Sequence, residues 1–130
     1  MNVVYLESSA AAKLVAVEPE TAAMRIFVNQ LHEGDVVVSS ALMETELRRM
    51  AIRREIEQRR VTFVLSRVTL VHVTRDVLRS AATFPDAALR ILDAIHVATA
   101  ISADADLVVA YDHRLIAAAE SVGLSTISPA

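Results

Sequence analysis

Short, uninterrupted apolar runs alternate with longer amphipathic stretches along almost the whole chain. Val3 to Leu6 is the first run, and its β-branched residues predict a strand buried on both faces. Val36 to Ser39, Thr69 to Val73, Leu107 to Tyr111 and Leu124 to Ile127 predict further strands. Between them, apolar residues return every three or four positions. That spacing predicts a helix over Pro19 to His32 and a long one from about Ala41 past a run of arginines, broken before another near Gln58 to Arg67. It predicts more over Asp76 to Phe84, Leu89 to Ala103 and His113 to Val122. Pro19 suits a first helical turn, Gly34-Asp35 and Pro85-Asp86 mark loops, and Gly123 stops the last helix. Strand and helix in alternation give an α/β fold: a central parallel sheet of about five strands flanked by helices. No repeat, linker or low-complexity tract interrupts the pattern, so residues 1–130 read as one domain.

Composition narrows the class. Hydrophobic residues make up 54% of the chain, which excludes disorder. No apolar stretch is long enough to span a bilayer, and Met1-Asn2-Val3-Val4 lacks the basic start of a signal peptide. There is no cysteine, so neither disulfides nor thiolate metal sites arise, and a cytoplasmic location is expected. The formal net charge is −3, which on its face argues against a nucleic-acid partner. Its distribution argues the other way. Arg48, Arg49, Arg53, Arg54, Arg59 and Arg60 against Glu55 and Glu57 give the segment 48–60 a charge of +4, leaving −7 elsewhere. A local field of that kind can steer a polyanion, although Glu/Arg pairs on a solvated helix read the same way.

Four carboxylates stand where the pattern calls for something else. Glu7 and Asp112 each follow a predicted strand, and ligand crevices in open α/β sheets lie beyond the strand carboxyl ends. Helix capping explains Asp112 as well, and the helix dipole would favour Glu7 in a first turn. Asp93 rides on a helix apolar on almost every side, where an unpaired ionised carboxylate costs several kcal/mol. It therefore requires Arg90, His96, a metal or the crevice. Glu46 borders the stripe Met43, Leu47, Met50 and Ala51, with Arg49 and Arg53 on its flank as candidate phosphate contacts. A plain Glu46–Arg49 ion pair is the alternative. Clustered carboxylates repel unless a cation neutralises them, and an all-oxygen donor set favours Mg²⁺ or Mn²⁺. His96 has no second histidine at motif spacing and is expected to be a packed, hydrogen-bonded side chain. Ser8 and Ser9 would orient a water or cap the next helix.

These residues carry a resemblance to a known family. Tyr5-Leu6-Glu7-Ser8-Ser9-Ala10, the stretch Ser39 to Arg54 with Glu46-Leu47-Arg48-Arg49, Leu89 to Ala100 with Asp93-Ala94-Ile95-His96, and Tyr111-Asp112-His113-Arg114-Leu115 together resemble PIN-domain ribonucleases, specifically the VapC toxins of toxin–antitoxin pairs. The match covers essentially all 130 residues. The resemblance implies a PIN-like domain, a Mg²⁺ or Mn²⁺ site on Glu7, Glu46, Asp93 and Asp112 as catalytic acids, and Ser9 as a supporting polar group. It also implies RNA as substrate, products with 5′-phosphate and 3′-hydroxyl ends, a homodimer, and a cognate antitoxin whose tail covers the active-site groove, with higher assembly in the complex. One departure bears on activity. The family pattern has Asp where this chain has Glu7, and the extra methylene moves the carboxylate by roughly 1.5 Å. A site of that kind is either retuned or weakened, which leaves two functions in view: a metal-dependent endoribonuclease, or a module that binds antitoxin or RNA without efficient cleavage. A phosphorylated receiver domain has a similar fold class, but Lys13 is the only lysine and stands nowhere near the chain end that chemistry needs.

Overall fold

Residues 2–130 are described by a computed structural model. Five strands form one parallel sheet: β1 (Val3–Leu6), β2 (Val36–Ser40), β3 (Thr69–Val71), β4 (Leu107–Val109) and β5 (Thr126–Ile127). Their order is β3-β2-β1-β4-β5. The chain steps outward from β1 to β3, then returns to place β4 on the other side of β1. Winding thus reverses between β1 and β4, which opens a crevice at their carboxyl ends. Val4 pairs with Val37 on one side and Leu107 on the other, so β1 is the central strand.

Seven helices cover the sheet among the described residues. Successive side chains of a strand face opposite ways, and β1 divides its residues accordingly. Val4 and Leu6 pack into a core with α1 (Ser8–Val15), α2 (Thr21–Asn29), α3 (Leu42–Arg53) and α4 (Gln58–Leu65). Tyr5 points the other way, into a core with α6 (Ile91–Ser102) and α7 (His113–Ser121), while α5 (Arg75–Ala82) packs on α6 through Val77, Ile95 and Ala98. Two acids fasten the start of β1. Asp106 accepts the Val3 amide at 2.7 Å, and Asp35 accepts the Asn2 amide at 3.0 Å.

The helices α3, α6 and α7 end alike. After each, one residue takes a left-handed backbone: Glu55 (φ 54°), Asp104 (φ 52°) and Gly123 (φ 87°). The next amide then reaches back to the helix, as Ile56 N–H to Ala51 O, Ala105 N–H to Ala100 O and Leu124 N–H to Ala119 O. This is the Schellman closure, which satisfies carbonyls the helix leaves open.

The pattern's elements are all present, most with tighter limits, although β2 runs on to Ser40 and α5 begins at Arg75. The break between Arg53 and Gln58 is real, whereas the last two strands stop short of or start later than their apolar runs. The helix at Ser8–Val15 is not delimited by periodicity, because Ser8-Ser9-Ala10-Ala11-Ala12 offers no alternation of large apolar and polar residues. One expectation is corrected: α6 is not buried all round. Ala94 to Ala100 are buried, but Ile91 is 79% exposed, and Leu92 and Ile101 also face outward. No helix among the described residues is long and apolar enough to cross a membrane.

Candidate active site

The crevice at the reversal point is an open cleft of about 460 Å³. Glu7, Glu46, Asp93 and Asp112 all line it, together with Ser8, Ser9, Arg53 and Arg90. Four elements supply the acids. Glu7 sits between β1 and α1, Glu46 on α3, Asp93 in the first turn of α6, and Asp112 just before α7. The topology does what the sequence could not prove: it makes β1 and β4 neighbours, so that Glu7 and Asp112 emerge side by side.

Each acid has local engagements. Glu7, 5% exposed, caps α1 by accepting the Ser9 amide at 2.9 Å and the Ser9 hydroxyl, both on Oε2. The Ser9 Oγ in turn accepts the Tyr111 amide at 2.9 Å, tying α1 to the chain beyond β4. Glu46 Oε1 accepts from Ser8 Oγ at 2.8 Å and from His96 Nε2 at 2.7 Å. Asp112 caps α7, its Oδ1 accepting the amides of Arg114 and Leu115 at 2.9 and 3.2 Å. Capping and cleft-lining are thus compatible for Asp112 rather than alternatives. Asp93 accepts no hydrogen bond among the described residues and is half-buried. Three acids therefore commit one carboxylate oxygen to the protein and keep the other without a protein partner among the described residues; Asp93 keeps both.

Electrostatics separates the four. Burial pushes the Glu7 carboxyl above its ordinary range, only partly offset by His96 and the Ser9 hydrogen bonds. Asp93 is raised by burial and by the charge of Asp112 across the cleft. Burial would also raise Glu46, but its hydrogen bond to His96, the charge there and Ser8 bring it below the carboxylate norm. The His96 imidazole would be lowered by burial, yet Glu46, Glu7 and Asp93 together hold it above its usual value.

The donor set is all oxygen and suits a hard divalent cation in chemistry. Its arrangement does not bring the acids as close as their pattern suggests. Among the described residues, no three His, Asp or Glu side chains come together tightly enough to hold an ion. The reason is the local engagements just described: Glu7 folds back on its own helix, Glu46 is drawn to His96, and Asp112 is drawn to the amides of α7. The alternative Glu46–Arg49 ion pair does not form among the described residues. Arg49 is exposed and lies outside the cleft lining, whereas Arg53 lines it. Two participants were underrated by sequence reasoning. Arg90, weighed only as a partner of Asp93, borders the cleft, and its place before the first turn of α6 is the signal that finds it. His96 is 1% exposed, as expected of a packed side chain, but it is bonded directly to a cleft acid.

Comparison with known proteins agrees with this geometry. Residues 4–121 match the family model described as PIN domain. Ribonuclease VapC47 of Mycobacterium tuberculosis is 35% identical over 97% of this chain and 96% of its own length. The crystal structure of VapC20 from the same organism, described as a sarcin–ricin loop cleaving toxin, superposes with a TM-score of 0.78 at 17% identity, covering 97% of this chain and 99% of that one. VapBC2 of Rickettsia felis, solved with a fragment of promoter DNA, also gives 0.78, at 12% identity and with 98% and 99% covered. With a family match across most of its length, a curated relative over nearly all of it, and the acids of the motif lining one cleft at the reversal point of the sheet, the chain belongs to the PIN-domain family, among its VapC-type ribonucleases.

Proposed function

We propose that this protein is a Mg²⁺- or Mn²⁺-dependent endoribonuclease and the toxin of a type II toxin–antitoxin pair. The observation that carries the reading is the cleft itself: four acids from four elements, with spare carboxylate oxygens and two arginines at its border. The chemistry an ion supplies in such a site is polarisation of the scissile phosphate and activation of water. Glu7, Glu46, Asp93 and Asp112 would hold it through the oxygens left over from their protein hydrogen bonds. Ser9 fixes the direction of Glu7, and Ser8 that of Glu46. Arg53 and Arg90 hold flanking phosphates of the RNA, with Arg49 one turn away from Arg53 on α3 as an outer contact.

The test is cleavage of an end-labelled single-stranded RNA with Mn²⁺, with and without EDTA, followed by analysis of the new ends. Cleavage that needs the ion and leaves 5′-phosphate and 3′-hydroxyl ends supports the reading. Activity that survives EDTA, or a cyclic phosphate product, overturns it.

The partners of this reading are RNA, a cognate antitoxin and a second copy of the chain. An apolar groove of about 780 Å³ between α2 and α4 supports a protein partner. Phe27, Leu31 and Phe63 line it, with Arg25, Arg60 and Arg67 also present. A second reading, a module that binds antitoxin or RNA without efficient cleavage, is favoured by one observation: the Glu7 carboxylate is turned onto Ser9 rather than gathered with other acids. Recovery of strong cleavage by Glu7→Asp in an otherwise inert protein would identify a weakened enzyme.

A further inference from the structure

A chain of buried polar contacts runs from the end of β2 to the cleft. The Ser40 amide donates to Tyr5 Oη at 3.2 Å, Tyr5 Oη lies 2.6 Å from His96 Nδ1, and His96 Nε2 lies 2.7 Å from Glu46 Oε1. Tyr5 is fully buried and His96 nearly so, whereas Glu46 is half-buried at the cleft wall. The rings of Tyr5 and His96 meet edge to face with centroids 5.9 Å apart. An ionised carboxylate has no proton to give, so Nε2 carries the hydrogen and donates it. In the neutral ring Nδ1 is then an acceptor and the Tyr5 hydroxyl its donor.

We infer that Tyr5 and His96 are positioning residues of the cleft: they hold Oε1 of Glu46 from behind and leave Oε2 to face the substrate side. This rests on the reading of Glu46 as a working acid of the site. The geometry supplies three reasons. His96 and Ser8 both address the same oxygen, so Glu46 is gripped at one atom from two elements, α6 and α1. A glutamate on a helix has three free torsions, and two donors on one oxygen remove most of that freedom. Finally, the grip is anchored to the sheet, because the Ser40 amide fixes the phenol that fixes the imidazole. Burial alone requires both ring nitrogens to be engaged; what singles His96 out is that one of its partners is a cleft acid.

Two measurements test this. The first needs no substrate: ¹⁵N resonances of the His96 ring in the wild-type protein. A proton on Nε2, a signal there that moves in Glu46→Gln, and an Nδ1 signal that moves in Tyr5→Phe are expected. A ring with Nε2 unprotonated, or insensitive to Glu46→Gln, overturns the inference whether or not the protein cleaves RNA. The second measures cleavage of an end-labelled single-stranded RNA with Mn²⁺. A glutamine amide can stand where Nε2 stands, an asparagine only where Nδ1 stands, and leucine offers neither. Among folded variants, His96→Gln should keep the most activity, and His96→Asn and His96→Leu should lose roughly ten- to a hundredfold in kcat with KM little changed. Activity that instead follows melting temperature, without regard to which atom is restored, marks a packing role and overturns the proposal. If wild-type protein cleaves nothing, the nuclease reading fails by itself, and the ring resonances still decide whether His96 holds Glu46.

Discussion

Glu7 concentrates the energetic conflict of the site in one side chain. It is almost fully buried, its carboxyl is raised chiefly by that burial, and it still caps α1. A carboxyl raised in the folded state contributes stability below its unfolded value, which is lost as pH rises through the folded one. At neutral pH Glu7 therefore weakens the fold. Glu7→Gln keeps an oxygen for Ser9 and removes the charge, so the variant should melt at a higher temperature than wild type at pH 7. The advantage should fade near pH 4, where wild type is also protonated; calorimetry at both values checks it. Glu7→Asp should raise the cleavage rate while keeping a cap, since aspartate is a preferred capping residue. The residue scale is also where sequence reasoning reached furthest and stopped. It singled out all four acids because polar residues at strand ends and in apolar helices break the pattern. It overstated the burial of Asp93, which sits in a first turn where Ile91 and Leu92 face outward. Nor did it see that His96 bonds to Glu46, fifty residues away, since periodicity carries no signal of contact between helices.

At the scale of elements, the three Schellman ends differ in one respect. Gly123 adopts φ 87° with no Cβ to clash, while Glu55 and Asp104 hold similar geometry with full side chains. Glu55→Gly should therefore stabilise the protein by about 0.5 kcal/mol, net of the added chain entropy. Gly123→Ala should destabilise it by about 1 kcal/mol. Urea unfolding of both variants gives the two signs directly. Element types were legible because strands here are short apolar runs and helices carry a three-to-four spacing. Their limits were less so. Apolar character tracks burial, not ladder pairing, so Tyr111 looks like strand yet lies beyond β4, its amide bonded to Ser9 Oγ. The helix Ser8–Val15 is built from small residues packed against the sheet, and alanine leaves no pattern to read.

For the molecule as a whole, the topology decides function and was the least legible part. Strand order follows from long-range pairing, and only the reversal between β1 and β4 makes distant acids neighbours. That gathering has two bulk consequences. Ions that bind only the folded state stabilise it, so Mn²⁺ at ten times its dissociation constant should add about 1.4 kcal/mol, or roughly 5 °C in Tm. A thermal scan showing no shift at saturating Mn²⁺ would count against a competent site. On the proposed function, a protein of net charge −3 would bind RNA through a local field. Affinity should fall with salt, and Arg53→Ala and Arg90→Ala should each lower the slope of log K against log salt by about 0.7. Filter binding of RNA across a salt series reads both.

Three consecutive residues at the start of α1, the cap Glu7 and the first two helical residues, address three different places. Glu7 caps its own helix, Ser8 reaches α3 and Ser9 reaches the chain after β4. Side chains one position apart on a helix point about 100° from one another, so these aims are set by counting residues. An insertion or deletion here would rotate all three at once, and no single substitution elsewhere would restore them. The length of this segment is therefore constrained as tightly as its residues.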